Sequence, residues 1–255
     1  MNQPVISDTS LALTLLLVLI ALSLSWKEKL GLEKEMIWSV VRATLQLLLV
    51  GYLLQSLFKV NNVWLTLSMV LFICVNAALN ARKRSRQKRY AFSIALVAIG
   101  FSTAVTLTIL IGSGALAFSP VQIIPVTGMI AGNAMVATGL CFTHLYQRLV
   151  NNQQKVMEML SLGASVKIAL SPPLRQSIRA AMIPTVDAAK TVGLVSLPGM
   201  MSGLIFAGVD PVKAIKYQIM VTFMLLGTAA VSTLIAGYLS CRQYVNRRAQ
   251  LRLDE

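Results

Sequence analysis

Side chains that bind metals or transfer protons are scarce in this sequence. It contains one histidine, His144, and three cysteines, Cys74, Cys141 and Cys241, with no CxxC spacing among them. Metal sites usually combine several such ligands at close spacing, and acid–base catalysis needs a pair of titratable groups. We therefore predict no catalytic residues, interpret the cysteines as small buried hydrophobic side chains, and leave the identity of any metal ligand unknown.

Twelve methionines offer thioether ligands, which suit soft metal ions such as Cu(I). Filling irregular gaps between helices is the commoner use of methionine, and this alternative stays open. Amides and hydroxyls inside apolar segments normally face protein or water. On these grounds Gln218 is expected to face inward, and a substrate path is predicted at Met129, Asn133, Met135, Pro198, Met200, Met201 and Ser202.

One charged pair stands out, and one motif is absent. Asp187 and Lys190 are three residues apart, so on a helix they share a face and can form an ion pair. Anchoring at the membrane interface is the favoured role of this pair, and gating is the alternative. The sequence has no GxxxxGK[ST] phosphate loop, so the chain itself is not expected to hydrolyse ATP in the usual way.

The elements that position these residues are predicted to be membrane-spanning helices. Of the 255 residues, 56% are hydrophobic and 13% are charged, whereas roughly 25% are charged in an ordinary soluble domain. A spanning helix needs about 20 mostly apolar residues, and lipid leaves its backbone groups no other partner. The sequence therefore predicts an all-α, polytopic membrane protein, a single transmembrane domain over residues 1–255. About seven spans are expected: Val5 to Ser25, Ile37 to Phe58, Val63 to Asn80, Ala91 to Ile111, Val121 to Thr143, Val192 to Ala207 and Ala214 to Leu239.

Basic residues set the expected orientation of these spans. The net charge is +14, and Lys and Arg concentrate in the loops 26–36, 81–90 and 144–191 and after Ser240. Cytoplasmic loops of membrane proteins carry this excess of Lys and Arg. We predict an N-terminus outside, a C-terminus inside and a location in the inner (plasma) membrane, and the charge needs no nucleic-acid partner.

Proline and glycine interrupt two of the predicted spans. The interrupting residues are Pro125, Gly128 and Gly132 in the fifth span and Pro198, Gly199 and Gly203 in the sixth. Paired broken helices indicate a substrate path, because freed backbone groups can face a cavity. The GxxxG spacing in both spans also favours close helix packing, and the two interpretations are compatible.

The stretch 144–191 is predicted to be a structured cytoplasmic loop. Val156 and Leu160 have helical spacing, Gly163 supplies a stop, and Pro172–Pro173 supplies a break before a second helix from about Leu174. The run from Glu158 to Ser165 resembles the Leu-Gly-Ala-Ser core of the coupling loop in ABC permeases, where a short helix fits a groove on the ATPase. An amphipathic helix lying on the membrane is the alternative. The predicted ATPase-coupling residues are Glu158, Met159, Leu160, Gly163, Arg175 and Arg179.

The run from Ile183 to Gln218, with Asp187, Lys190 and Pro198 in it, closely resembles the FetB-type (UPF0014-type) family of ABC permeases. The likeness covers essentially the whole chain. It implies a permease homodimer with two ATPase subunits, ATP and Mg bound by the ATPase, and no cofactor on this chain. It also implies export of iron, or of another metal or its chelate.

Two other functions stay open at this point. A secondary transporter or channel driven by a gradient would usually need an intramembrane Asp, Glu or His relay, and the sequence lacks one. The other is an ABC exporter of a non-metal substrate such as a nucleotide sugar. A membrane-embedded enzyme has the least support, since the chain has one histidine and almost no carboxylate within its apolar segments.

Overall fold

The computed structural model describes residues 8–59, 62–246 and 251, and its elements within them are helices. The predicted all-α class is confirmed for these residues. The chain divides into two compact units, Met1–Asn61 and Asn62–Glu255. The start of the first predicted span, from Val5 to Ser7, lies outside the described residues.

The first unit contains α1 (Asp8–Lys27) and α2 (Glu33–Lys59). The 20 residues of α1 extend about 30 Å, the thickness of the hydrocarbon core of a bilayer. Glu33 and Glu35 occupy the first turn of α2, where a carboxylate interacts favourably with the helix dipole. The Ser25 hydroxyl donates to Glu33 Oε1 at 2.9 Å, which joins the end of α1 to the start of α2.

The second unit contains the remaining helices. They are α3 (Val63–Arg82), α4 (Lys88–Gly112), α5 (Pro120–Asn151), α6 (Gln153–Ser161), α7 (Val166–Thr191), α8 (Gly199–Phe206) and α9 (Pro211–Cys241). Among the described residues, 4 helices are long and apolar enough to cross a membrane: α3, α4 from Tyr90 onward, α5 and α9. The predicted third, fourth, fifth and seventh spans lie within these helices, which supports a multi-pass membrane protein.

Small side chains form the contact between the spanning helices of this unit. In lipid, close van der Waals packing brings helices together, and small residues let their backbones approach. One buried cluster contains alanines of α3, α4 and α5 together with Ala236 of α9, so these four helices form one bundle. The fully buried alanines of the cluster are Ala78, Ala81, Ala95, Ala98, Ala131, Ala134 and Ala236.

Helix α7 passes through both prolines at which a break is predicted, so the prediction of a second helix from about Leu174 is wrong. Each proline removes one backbone hydrogen bond from the helix interior. Packing outweighs this loss, because Leu170, Pro173 and Leu174 are buried against α5 and α9. The Ser177 hydroxyl also donates to the Pro173 carbonyl at 2.6 Å.

The predicted sixth span, Val192 to Ala207, is wrong over its first half. Residues 192–198 form a turn, in which Gly193 has a φ of +85° and donates its N–H to the Ser196 carbonyl at 2.9 Å. Helix α8 begins only after Pro198, and its 8 residues extend about 12 Å, less than half of the hydrocarbon core. Glycine tolerates the positive φ that closes this turn, so the chain leaves the helix there.

Contacts along α9 give the direction of α7 and the position of α8. A Cβ atom at Gly237, near the end of α9, would meet Leu174 in the first half of α7. The side-chain amide of Asn133 in α5 hydrogen-bonds Thr185 in the second half of α7 and Leu225 in the middle of α9. Met200 of α8 packs in a cluster with residues nearer the start of α9. Helix α7 therefore runs antiparallel to α9, and α8 follows it after the turn 192–198, which lies beside the middle of α9. We call α7 and α8 together the discontinuous helix.

The close approach of α7 to α9 can be tested at Gly237. A Cβ atom there would lie 2.9 Å from Leu174 Cδ1 and 3.2 Å from Ile178, whereas a Cβ at Gly227 would meet no atom within 4 Å. We expect Gly237→Leu to lower the free energy of unfolding by about 1–3 kcal/mol through overpacking. Thermal melting of the purified protein in detergent measures the change, with Gly227→Leu as the matched control. Equal melting temperatures for the two variants would contradict this packing.

Candidate substrate path and coupling surface

A cavity of about 470 Å³ lies at the interruption between α7 and α8. Helices α5 and α9 form its other walls. This volume is in the range of small-molecule sites, roughly 300–1,000 Å³. The lining residues that carry polar or sulfur-containing side chains are Met129, Asn133, Thr185, Ser196, Met200, Gln218 and Thr222.

The amide of Asn133 joins three helices at this cavity. Its Nδ2 donates to the Leu225 carbonyl of α9 at 2.9 Å. Its Oδ1 accepts from the Thr185 hydroxyl of α7 at 3.2 Å. Both ends of the amide are therefore used for structure, so Asn133 holds the cavity walls together as well as lining them.

Gln218 differs from Asn133 because its carbonyl oxygen is unused. The residue is 6% exposed, and Oε1 has no hydrogen-bond partner in the described part of the chain. A buried acceptor without a partner costs about 1–3 kcal/mol, so such a group is usually satisfied by something bound. Gln218 therefore lines the cavity with a carbonyl oxygen that is itself buried and unpaired within the described residues.

The interruption of the discontinuous helix also leaves backbone groups at the cavity. At the end of α7, the Thr191 carbonyl accepts the N–H groups of Val195 at 3.0 Å and Ser196 at 3.3 Å. At the start of α8, Pro198 provides no side-chain cap, and the N–H groups of Gly199 and Met200 have no acceptor among the described residues. The cavity is bordered by the negative end of one helix dipole and the positive end of another.

The structure brings part of the predicted substrate path together. Met129, Asn133, Pro198 and Met200 line the cavity. The other three predicted residues do not line the cavity. Met135 packs against the alanine cluster of α3 and α4. Met201 and Ser202 lie outside the lining, and the Ser202 hydroxyl donates to the Pro198 carbonyl at 3.3 Å.

The GxxxG glycines are not in contact with another helix of the described chain. A Cβ atom at Gly128, Gly132, Gly199 or Gly203 would meet no atom within 4 Å. Another glycine of α5, Gly139, does have a close neighbour: a Cβ atom there would lie 2.7 Å from Cδ of Arg84 in the α3–α4 loop. Tight packing at the GxxxG positions is therefore not used within one copy of the chain.

Asp187 and Lys190 form the predicted ion pair. Lys190 Nζ lies 3.0 Å from Asp187 Oδ1 near the end of α7, and both side chains are more than half exposed. The pair does not line the cavity. Because both side chains are exposed, the attraction between their charges is screened. The ion pair therefore lies on the surface of α7, near the interruption.

The predicted coupling helix is α6, and it ends as expected before Gly163. That glycine has a φ of +86°, and its N–H donates to the Leu160 carbonyl at 3.1 Å. Met159 and Leu160 are half-buried and pack against a cluster that contains Leu145 of α5. The apolar stripe of α6 therefore faces its own protein.

Other residues form the exposed apolar surface of this region, which we call the α6–α7 turn (residues 157–168). Leu162 is 88% exposed, and Met157 and Ile168 are also exposed. Glu158 is exposed too, and its Oε1 accepts from Gln154 Nε2 at 3.0 Å. Sequence reasoning missed Leu162 because it lies past the helical stripe, next to the glycine stop.

The predicted coupling arginines follow on α7. Arg175 lines a second cavity, of about 480 Å³, with Lys167 and Arg242. Arg179 is exposed one turn further along. These cations give the start of α7 a positive surface beside the α6–α7 turn.

The segment after α9 packs on the same buried cluster as α6. Tyr244 is 3% exposed, and its ring centroid lies 6.4 Å from that of Tyr146. Burial, with a smaller contribution from Tyr146, raises the pKa of Tyr244 to about 12, so the phenol stays neutral at physiological pH. Arg86 stacks over Tyr146 at 6.0 Å, and Gln87 Nε2 donates to the Gln243 carbonyl at 3.3 Å. The α3–α4 loop is therefore held against α5 and the C-terminal segment.

The described residues contain no group of three or more His, Cys, Asp or Glu side chains that could hold a metal ion. Cys74, Cys141 and Cys241 are buried free thiols, as expected for small hydrophobic side chains.

Comparison with known proteins decides the family. The profile described as "Uncharacterised protein family (UPF0014)" matches residues 8–245. The chain belongs to the UPF0014 family. The resemblance identified from the sequence is thereby confirmed.

Two of the three relatives of this UPF0014 chain described next are named as a permease or a membrane protein. "Probable iron export permease protein FetB" of Escherichia coli (strain K12) is 60% identical over 251 residues, which cover 98% of this chain and 97% of the relative. "UPF0014 membrane protein YjkA" of Bacillus subtilis (strain 168) is 35% identical, with 96% and 98% covered. "Protein ALUMINUM SENSITIVE 3" of Arabidopsis thaliana is 35% identical, with 94% and 88% covered. No solved structure matches the chain.

Within this UPF0014 fold, Asn133 should contribute more to stability than an asparagine bonded inside its own helix. We expect Asn133→Ala to lower the free energy of unfolding by about 1–3 kcal/mol, because Leu225 and Thr185 lose a partner. Asn76→Ala is the matched control, since Asn76 Nδ2 donates only to Phe72 of the same helix, at 2.9 Å. Thermal melting in detergent measures both variants. An equal loss of stability in the two would show that the link between helices contributes little.

Proposed function

We propose that the chain is the permease subunit of an ABC transporter that exports iron, or another metal or its chelate, across the inner (plasma) membrane. The E. coli relative, which is 60% identical over nearly the full length of both chains, is named as a probable iron export permease. Because this sequence has no phosphate loop, ATP and Mg²⁺ bind a separate ATPase subunit. The chain works as a transporter subunit and not as an enzyme.

Seven crossings fit this role once the discontinuous helix counts as one. They are α1, α2, α3, α4, α5, α7 with α8, and α9. Lys and Arg are concentrated in the loops that this topology places in the cytoplasm, so the N-terminus faces outside and the C-terminus inside. The α6–α7 turn is then cytoplasmic.

The observation that carries the proposal is the exposed apolar tip of the α6–α7 turn. Leu162 is 88% exposed at a sharp turn between two helices. A short helix with apolar anchors is the form in which one protein fits the groove of another. Since Met159 and Leu160 pack inward, Leu162 and Met157 are the residues that enter the groove on the ATPase.

A homodimer supplies the second half of the transporter. Gly128 and Gly132 on α5 and Gly203 on α8 leave open space beside the backbone. Small residues at this spacing let helices of two copies approach closely. Two permease and two ATPase subunits then form the complex.

Transport follows from the connection between the two sites. ATP binding closes the ATPase subunits and displaces the α6–α7 turn. Met159 and Leu160 pack with α5 and α7, so the displacement reaches the helices that line the cavity. The path changes its access from one side of the membrane to the other.

Leu162→Asp tests the coupling surface. We expect this variant to lose most of its association with the ATPase subunit, because an aspartate cannot be desolvated in an apolar groove. Copurification of a tagged permease with the ATPase measures the association. Leu162→Met is the matched control and should copurify normally, and both variants should melt at the wild-type temperature since residue 162 is exposed. Normal copurification of Leu162→Asp would contradict docking at this turn.

Energy dependence tests the function as a whole. In vesicles that contain both subunits, we expect iron export with ATP and none with a non-hydrolysable ATP analogue. Radioactive iron retained in the vesicles measures export. Iron movement by the permease alone, without ATP, would overturn the proposal in favour of a gradient-driven transporter or channel.

A further inference from the structure

The second cavity, of about 480 Å³, lies between the first half of α7 and the end of α9. Lys167, Ser171 and Arg175 follow one another at four-residue intervals on α7, so they share the face that lines this cavity. Arg242, directly after α9, lines it as well. The three cationic side chains are exposed, so a ligand can reach all of them. We call this site the basic cavity.

No described carboxylate balances the positive charge of the basic cavity. Within the described residues, none of its three cations forms an ion pair, and the Ser171 hydroxyl has no hydrogen-bond partner. Positive charges that converge in this way repel one another, and a bound anion removes the repulsion. The described carboxylates of the second unit are used elsewhere: Glu158 accepts from Gln154, Asp187 pairs with Lys190, and Asp210 accepts from the N–H groups of Val212 and Lys213.

An exposed apolar stripe of α9 leads into the basic cavity. Tyr238 lines the cavity and is 53% exposed, and Leu234, one turn earlier on the same helix, is 45% exposed. Helix α9 is long and apolar enough to cross a membrane, so such side chains face acyl chains. Tyrosine is enriched at the level of the lipid headgroups. Arg242 lies four residues after Tyr238, about 6 Å further along the axis, and so beyond the apolar stripe.

We propose that the basic cavity binds the headgroup of an anionic phospholipid, whose acyl chains lie along Leu234 and Tyr238. Clusters of Lys and Arg between membrane helices recognise anionic headgroups in this way. A soluble anion, or an acidic segment of a partner protein, would match the cations but not the apolar stripe beside them. A phospholipid matches both surfaces, and the Ser171 hydroxyl can donate to its phosphate.

The site goes beyond the proposed function and does not depend on it. The topology proposed above places the basic cavity in the cytoplasmic leaflet, because Lys and Arg concentrate in the stretches that contain it. Its lining and charge are the same whatever the chain transports. A lipid bound here would lie directly beside the α6–α7 turn.

Two phospholipids with the same acyl chains provide matched probes. Phosphatidylglycerol has a net negative charge, whereas phosphatidylcholine carries the same phosphate with no net charge. Native mass spectrometry of the purified full-length chain in detergent, titrated with either lipid, measures the affinity of the first binding step. The wild-type chain should bind phosphatidylglycerol at least about 20-fold more tightly than phosphatidylcholine.

A pair of double variants tests whether the preference arises in the basic cavity. Each cation beside an anionic lipid contributes about a fivefold gain in affinity. Lys167→Gln with Arg242→Gln should therefore weaken phosphatidylglycerol binding about 20-fold and leave phosphatidylcholine binding unchanged. Lys83→Gln with Lys88→Gln is the matched control, since it removes two exposed charges from the α3–α4 loop and should change neither affinity. An equal loss in both double variants would overturn the inference, because it would show attraction to basic surface in general.

Two further measurements locate the ligand without relying on a variant. Phosphatidylglycerol with a diazirine at its headgroup should crosslink to residues 166–175 and 238–242 of the wild-type chain, and labelling confined to other segments would contradict the site. Glycerol 3-phosphate in large excess should not displace the lipid, because it lacks acyl chains. Displacement would show a site for free phosphate instead.

The remaining outcomes also decide the question. Equal binding of the two lipids by the wild-type chain would overturn the inference. So would normal lipid binding by Lys167→Gln with Arg242→Gln together with loss of copurification with the ATPase, since the cations would then face an acidic partner. The lipid assays contain neither ATPase nor ATP, so their failure leaves the proposed function intact. Iron export that does not require ATP would reject the proposed function and leave the lipid site intact.

Discussion

The side-chain amide of Asn133 is the contact on which the arrangement around the cavity depends. It bonds to Leu225 of α9 at 2.9 Å and to Thr185 of α7 at 3.2 Å, so one residue sets the position of three helices. In lipid the hydrophobic effect does not press helices together, and such bonds together with close packing determine which faces meet. The cavity exists because α7 is held here while the chain beyond Thr191 leaves the helix.

Helices made of continuous apolar sequence could be predicted, and α7 could not. The apolar runs of α3, α4, α5 and α9 identify them as spans by composition alone. Helix α7 contains Pro172 and Pro173 within the same stretch as Lys167 and Arg175, so its local sequence is typical of a broken polar loop. Its stability comes from burial of Leu170 and Leu174 against helices distant in the sequence, and a reading of local pattern does not include those contacts.

The site residues that lie on a single helix could be predicted, because helix periodicity determines which side chains share a face. Met129 and Asn133 are four residues apart and share the face of α5 that lines the cavity. Met135 lies two residues after Asn133, which rotates it by about 200° to the opposite side of α5, where it packs against the alanine cluster. Grouping Gln218 and Thr185 with these residues requires knowing that α7 and α9 pass the same level of α5, which only the three-dimensional fold provides. For the same reason the sequence alone predicts that the apolar stripe of α6 contacts a partner, whereas in the structure it packs against the protein's own buried cluster.

The length of α5 has a geometric consequence. One helix runs from Pro120 through the cavity residues to Asn151, directly before α6. Asn133 and Asn151 are separated by about 27 Å along the axis, so a tilt of about 10° around the cavity would swing the far end by about 5 Å. No flexible connection lies between the two points to absorb such a rotation. A small angular change at the level of the amide is thus geometrically equivalent to a large sideways movement at the end that carries α6.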